Sequence, residues 1–196
     1  MVSVRINGAE STVGSSGSLK ITDLIELIKA AIDPDHMITK LMLDGHELDD
    51  QAWAATTSQF ETAILEVETG TPESFVSERL DKASEIVREC YLEFRDARKT
   101  FQDGKMVQGN QKLVKAVNTL KSFFEWYSTL LDLCDETKKK EMDISSQVTE
   151  ISEICKRICQ QQLYQSWWAL GETIGKELEP KLDKLEDFFR KFRTQV

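Results

Sequence analysis

Histidine and cysteine are scarce in this chain of 196 residues, at 2 and 4 copies, and each scarcity removes a class of chemistry. With His36 and His46 as the two imidazoles, the sequence offers no metal-binding histidine pair and little acid-base capacity near neutral pH. Cysteines at 90, 134, 155 and 159 are too few and too irregularly spaced to form a disulfide framework. No apolar run approaches the roughly 20 residues that span a bilayer. The opening Met1-Val2-Ser3-Val4-Arg5-Ile6 is polar and strand-like, not a charged end followed by an apolar core. Basic charge is also short, with 25 Lys and Arg against 34 Asp and Glu, a net charge of -9. The longest basic run is Lys138-Lys139-Lys140, so no cluster exists to displace counterions from a phosphate backbone. Nor is there a glycine-rich phosphate loop or a nucleophile elbow. These absences lead us to expect a cytoplasmic protein that binds neither nucleic acid nor membrane, needs no cofactor or metal, and has no catalytic residues.

What is present falls into two stretches. Up to Gly70 there are 4 basic and 12 acidic residues, and beyond it 21 and 22, so the first third carries nearly all the net charge. Apolar spacing changes at the same place, from mixed strand and helix periods to long repeats of 3.5 residues, with Gly70-Thr71-Pro72 at the join. The sequence therefore predicts a domain over 1–70, a linker over 71–77 and a helical domain over 78–196.

In the first stretch Val2, Val4 and Ile6 alternate with polar residues as a half-buried strand requires, and Asn7-Gly8 is a tight-turn signal. A second strand in the Ser- and Gly-rich residues 10–20 has only Val13 and Leu19 to bury. Thr22 or Asp23 is placed to cap a helix bearing Leu24, Ile25, Leu27, Ile28 and Ile32, which Asp33-Pro34 ends. A strand over Met37 to Leu43, a turn at Asp44-Gly45, a short partner at Glu47-Leu48 and a last strand over Ala63 to Val67 complete the order.

That order, together with Lys40-Leu41-Met42-Leu43-Asp44-Gly45-His46-Glu47-Leu48-Asp49-Asp50 and then Thr62 to Val67, resembles the ubiquitin-like β-grasp family over about the first 70 residues. The resemblance implies a partner-binding patch on the sheet face with Met42 at its centre, although Glu66 stands where the last strand should supply an apolar residue. It implies no conjugation or sulfur transfer, because Gly70 is single and the chain continues through Thr71-Pro72. The acidic group Asp44, Glu47, Asp49 and Asp50 reads as a solvated face, or else a site for a basic partner.

From Leu80, positions 80, 83, 87, 90, 94, 97 and 101 hold an unbroken apolar 3-4 spacing, the seam of a helical bundle. After a break from Gln102-Asp103-Gly104 to Gly109-Asn110, Leu113, Val117, Leu120, Phe124, Tyr127, Leu131 and Cys134 repeat it. A third pattern runs from Ile144 through Val148, Ile151, Cys155, Ile158 or Cys159, Leu163, Trp167 and Leu170. The fourth takes Leu178, Leu182, Leu185, Phe189, Phe192 and Val196, with Gly171, Gly175 and Pro180 as the bend before it. At an offset of 65, Leu185-Glu-Asp-Phe-Phe falls on Leu120-Lys-Ser-Phe-Phe and Cys155 on Cys90. The expected fold is α+β: the β-grasp domain, then an all-α antiparallel four-helix bundle made of two hairpins, 78–133 and 143–196.

Cys155 and Cys159 lie one helical turn apart, a spacing at which two thiolates share a metal, but seam cysteines serve mostly as small buried apolar residues. His46 reads as a turn residue, since nothing nearby supplies an electrophile site. Adjacent indoles at Trp167 and Trp168 point about 100° apart and cannot both lie on one seam, so one meets another surface. Trp126, beside seam residue Tyr127, raises the same question. The terminal helix with Arg190, Lys191 and Arg193 opposite its aromatics completes the seam in preference to lying on a membrane. The reading is a non-catalytic interaction or adaptor protein that uses Met42, Trp126, Trp167 and Trp168 to bind a protein partner or a second copy of itself. Its rivals are an export-type chaperone holding a client in an apolar helical groove, and a cysteine-based metal or redox protein.

Overall fold

The computed structural model describes residues 2–13, 20–60 and 62–193, without the side chains of Asp50 and Gln51. Leu19 and Val196, both assigned apolar roles above, lie outside the described residues, as does the side chain of Asp50. The fold is α+β and divides into two compact units, Met1–Phe75 and Val76–Val196.

The first unit is a five-stranded mixed sheet of order β2-β1-β5-β3-β4. Its strands are β1 (Ser3–Ile6), β2 (Ala9–Ser11), β3 (Met37–Leu43), β4 (His46–Glu47) and β5 (Ile64–Gly70). β1 runs parallel to β5 with Val4 opposite Leu65, and β5 runs antiparallel to β3 with Leu65 opposite Leu43. Both hairpin turns put two residues at positive φ, Asn7 and Gly8 at 50° and 81°, Asp44 and Gly45 at 50° and 79°. That geometry follows the strand twist, and Asn, Asp and Gly reach it at low cost. Each turn side chain also ties β5, Asn7 Oδ1 accepting from Thr69 N and Asp44 Oδ1 from Ile64 N, both at 2.8 Å.

Helix α1 (Ile21–Ala31) lays Leu24 and Ile28 against Val2, Val4, Leu65 and Val67, which form the core of this unit. Neither Thr22 nor Asp23 caps it. Lys20 occupies the cap position without a side-chain bond, and the first amide is satisfied instead by Ala55 O at 3.0 Å. Asp49 caps the short α2 (Asp50–Ala54) by accepting from Ala52 N, and a 3-10 turn follows at Thr57–Gln59.

Helix α3 (Pro72–Leu80) starts within residues 71–77. The Thr71 hydroxyl accepts from Ser74 N at 3.1 Å, and Pro72 fills the first helical position, where its missing N–H costs nothing. The Gly-Thr-Pro signal that reads as a break is thus the start of a helix.

The second unit is helical: α4 (Ala83–Gln102), α5 (Met106–Asp132), α6 (Glu136–Glu141), α7 (Ser145–Leu163), α8 (Trp167–Thr173) and α9 (Glu179–Arg190). α8 passes into α9 through a π-helical stretch, Ile174–Leu178. Pro180 lies just beyond it, lacks the amide that an α-helical ladder would use, and widens the helix there without breaking it. The bend expected at Gly171, Gly175 and Pro180 therefore falls earlier, at Tyr164-Gln165-Ser166, with Gln165 at φ 56°. The other break is also narrower than expected, because α5 is already helical at Met106 and includes Gly109 and Asn110. A Cβ on Gly109 would meet the Phe101 ring at 2.7 Å, so this glycine admits a ring and does not end a helix.

α4 is the central helix of this unit, packed against both α5 and α9, and Val87, Cys90, Phe94, Ala97 and Phe101 are buried as the seam required. No helix among the described residues is long and apolar enough to cross a membrane.

Candidate functional site

α5 carries two apolar stripes side by side. Leu113, Ala116, Leu120, Phe123, Tyr127 and Leu130 are buried, whereas Val117, Phe124 and Leu131, placed on the seam by their spacing, are half-buried one position further round. α7 repeats the arrangement: Ile151, Ile154 and Ile158 are buried, while Val148 and Cys155 are half-buried and Cys159 is exposed. The second stripes of the two helices face each other across an open groove.

The groove has a cavity of about 610 Å³ lined by Val117, Leu120, Phe124, Ile151, Cys155 and Cys159 among others. A second hollow of about 340 Å³, between Tyr127, Leu131 and Ile144, shares Phe124 and Val148 with the first and so continues it. From Val117 to Leu131 the run measures about 21 Å along α5 at 1.5 Å per residue. One bond joins the two helices and a second ties α5 to the turn before α7. Gln162 Nε2 donates to Asn110 Oδ1 at 3.0 Å, and the buried Tyr127 hydroxyl donates to Met142 O at 2.6 Å. Between these ties α5 and α7 make few contacts. Of the charged residues lining it, Lys121 pairs with Glu125, and Lys156 pairs with Glu153 one turn away on α7.

Cys155 and Cys159 share this groove as their spacing required. Burial pushes the Cys155 thiol up to about 12, with the neighbouring Cys159 adding to it, so the thiolate that binds metal or attacks electrophiles is scarce at neutral pH. Burial likewise pushes Cys90 up to about 12, helped by Glu93 and Glu89. All four cysteines are free thiols. Among the described residues no three His, Cys, Asp or Glu side chains converge as a metal site would need.

The aromatic residues singled out by sequence do not form one surface. Trp126 is half-buried and packs on Phe123, ring centroids 5.7 Å apart, as part of the helical core. Trp167 stacks on Phe101 at 5.3 Å with planes 17° apart, beside Gly109. Gly109 and Trp126 are separated by about 25 Å along α5. Trp168 is 80% exposed, with Leu163 and Tyr164 equally so. Met42 is half-buried on the sheet face opposite Leu41 and Leu43, and its cross-strand neighbours are Glu47 and Glu66, so carboxylates interrupt the apolar patch there. Of the acidic group, Asp44 and Asp49 hold backbone amides, as described, and His46 lies exposed in β4.

The groove walls were missed because a seam was assumed to be one residue wide. The signal is present in the sequence as doubled pairs, Ala116-Val117, Phe123-Phe124 and Leu130-Leu131, recurring every seven residues, with Ile154-Cys155 and Ile158-Cys159 answering on α7. An apolar arc that wide exceeds what one packed neighbour can cover. No family model matches the chain, and neither a curated protein nor a solved structure matches it.

Proposed function

We propose that this is a non-catalytic protein-binding protein, an adaptor whose helical unit receives the apolar face of a partner's amphipathic helix in the α5–α7 groove. In this reading the first unit is a ubiquitin-like β-grasp domain, supported by the strand order, by α1 on one sheet face and by the glycine turns. The second unit is an antiparallel four-helix bundle of two hairpins, α4 with α5 and α7 with α8 and α9, supported by the 3-4 spacing of its buried residues.

The observation that carries the proposal is the continuity of the two hollows through Phe124 and Val148. An apolar trough about 21 Å long between two helices matches about 14 residues of a third helix, docked by helix-in-groove packing. Met42 and the exposed Trp168 serve as secondary contacts. The export-type chaperone remains the second reading, because a groove left open without its client is what that role requires; a metal or redox role is disfavoured by the suppressed thiolate at Cys155.

The test compares full-length wild type, Ser152→Trp, which fills the groove, and Ser122→Trp on the solvent face of α5, as baits in one extract, with circular dichroism on each. Proteins retained by wild type and Ser122→Trp, lost with Ser152→Trp, and displaced by an amphipathic helical peptide are the expected result. Identical retention by all three baits, with folds intact, overturns the groove reading.

A further inference from the structure

A third, smaller hollow in the helical unit shares no lining residue with the α5–α7 groove. It measures about 280 Å³ and is lined by Phe101, Gln102, Trp167, Trp168, Gly171 and Glu172. Three of the six are aromatic and one is a carboxylate, a composition that the packing of the unit does not explain. Trp168 in particular leaves four-fifths of its surface in water, where an indole has nothing to gain unless something covers it.

The rest of the hollow is built rigidly. Gly109 lets the Phe101 ring settle against α5, and the Trp167 ring stacks on that ring. The Glu172 carboxylate stands at the edge, and its ion-pair partner is Lys176, one turn along the same helix and three-quarters exposed. An exposed pair of this kind holds its partners weakly. Lys176 thus shows that a cation already seeks this carboxylate.

Aromatic faces with one carboxylate attract an organic cation, because the ring quadrupole and the anion both favour positive charge while the ring surface tolerates methyl groups. At about 280 Å³ the hollow falls just below the range of about 300–1,000 Å³ that takes a drug-sized molecule. It suits a single headgroup. The geometry points to a binding site for a methylated ammonium group in this hollow, with the indoles of Trp167 and Trp168 as its aromatic lining and Glu172 as counter-ion. The group belongs either to a small quaternary amine or to a methylated lysine side chain. Trp168 is the wall that a ligand covers, Trp167 the fixed wall, and Lys176 the internal competitor.

The experiment follows the indole N–H signals of the full-length chain by NMR during titration with tetramethylammonium chloride, with sodium chloride and uncharged tert-butyl alcohol as controls. Of the 4 tryptophans, Trp167 and Trp168 should shift saturably while Trp53 and Trp126 stay still. The cation should bind about tenfold more tightly than the alcohol, and Trp168→Ala should weaken it about tenfold. Glu172→Gln should weaken it a few-fold, whereas Lys176→Ala should tighten it, an outcome that a merely apolar hollow does not produce. A short peptide carrying trimethyllysine distinguishes the two sources: markedly tighter binding than tetramethylammonium assigns the site to a side chain, equal binding to a small amine. Absence of a saturable shift, equal affinity for the alcohol, or an unchanged response in Trp168→Ala overturns the proposal.

Discussion

Arg98 and Glu179, 81 residues apart, face each other through two parallel bonds, Nε to Oε1 at 2.8 Å and Nη2 to Oε2 at 3.3 Å. Glu179 is buried, and the guanidinium reaches it by passing over Gly175, where a Cβ would stand 3.3 Å from Nε. Gly175 and Glu179 are one turn apart on the helix that crosses α4, so a gap and a counter-charge arrive together. Arg98→Leu alone strands a buried carboxylate and should cost about 3 kcal/mol in urea unfolding. Replacing both residues by leucine should recover most of that loss. A double variant as unstable as the sum of the singles would show that the pair is not coupled.

The Phe101 ring gives a second stability prediction. In an open helix Gly109→Ala gains roughly 1 kcal/mol of helix propensity. Here the new methyl would meet a ring fixed by its stack on Trp167, and overpacking costs about 1–3 kcal/mol. We expect a net loss of stability and an altered near-ultraviolet dichroism signal from Trp167. A stabilised variant with an unchanged spectrum would mean that the ring moves freely.

How much of this was legible beforehand differs between the two units. The tight turns were readable because Asn7-Gly8 and Asp44-Gly45 fix their backbone locally, and β3 came out at its expected limits for the same reason. The start of α1 was not, because its first amide is satisfied by Ala55, far along the chain, and not by a neighbouring side chain. In the helical unit the apolar spacing marked α4 and α5, but it ran the third pattern on through Trp167 and Leu170, which lie in α8, and it could not say that Val117, Phe124 and Val148 line a groove while Ala116 and Phe123 fill the core. Periodicity reports which residues avoid water, not how many neighbours arrive to cover them. Gly175 reads as a bend for a related reason: its role is to admit Arg98, a contact between helices far apart in sequence.

The adjacent phenylalanines of α5 turn that distinction into a measurement. Phe123 is 3% exposed and touches Phe189 edge-on at 5.5 Å, so Phe123→Ala should cost about 3–5 kcal/mol. Phe124 lines the groove and is half-buried, and Phe124→Ala should cost about 1 kcal/mol. Chemical unfolding of the two variants side by side settles which stripe is core; equal losses would mean that the groove closes in solution.

Alkaline pH should weaken the helical unit in a defined window. Burial holds the Cys90 and Cys155 thiols up to about 12, and burial raises the Tyr127 hydroxyl as well, while the unfolded chain titrates its cysteines near 9. A raised folded pKa means that the native state keeps a proton the unfolded state releases, so stability is fully present below about 9 and falls as pH climbs toward about 12. Urea midpoints measured from pH 7 to 11 should stay level up to about 9 and then decline. Cys90→Ala with Cys155→Ala should flatten the decline, even if the double variant starts from a lower midpoint. A slope unchanged by removing both thiols would place the alkaline sensitivity elsewhere, with Tyr127 next to be tested by its phenylalanine variant.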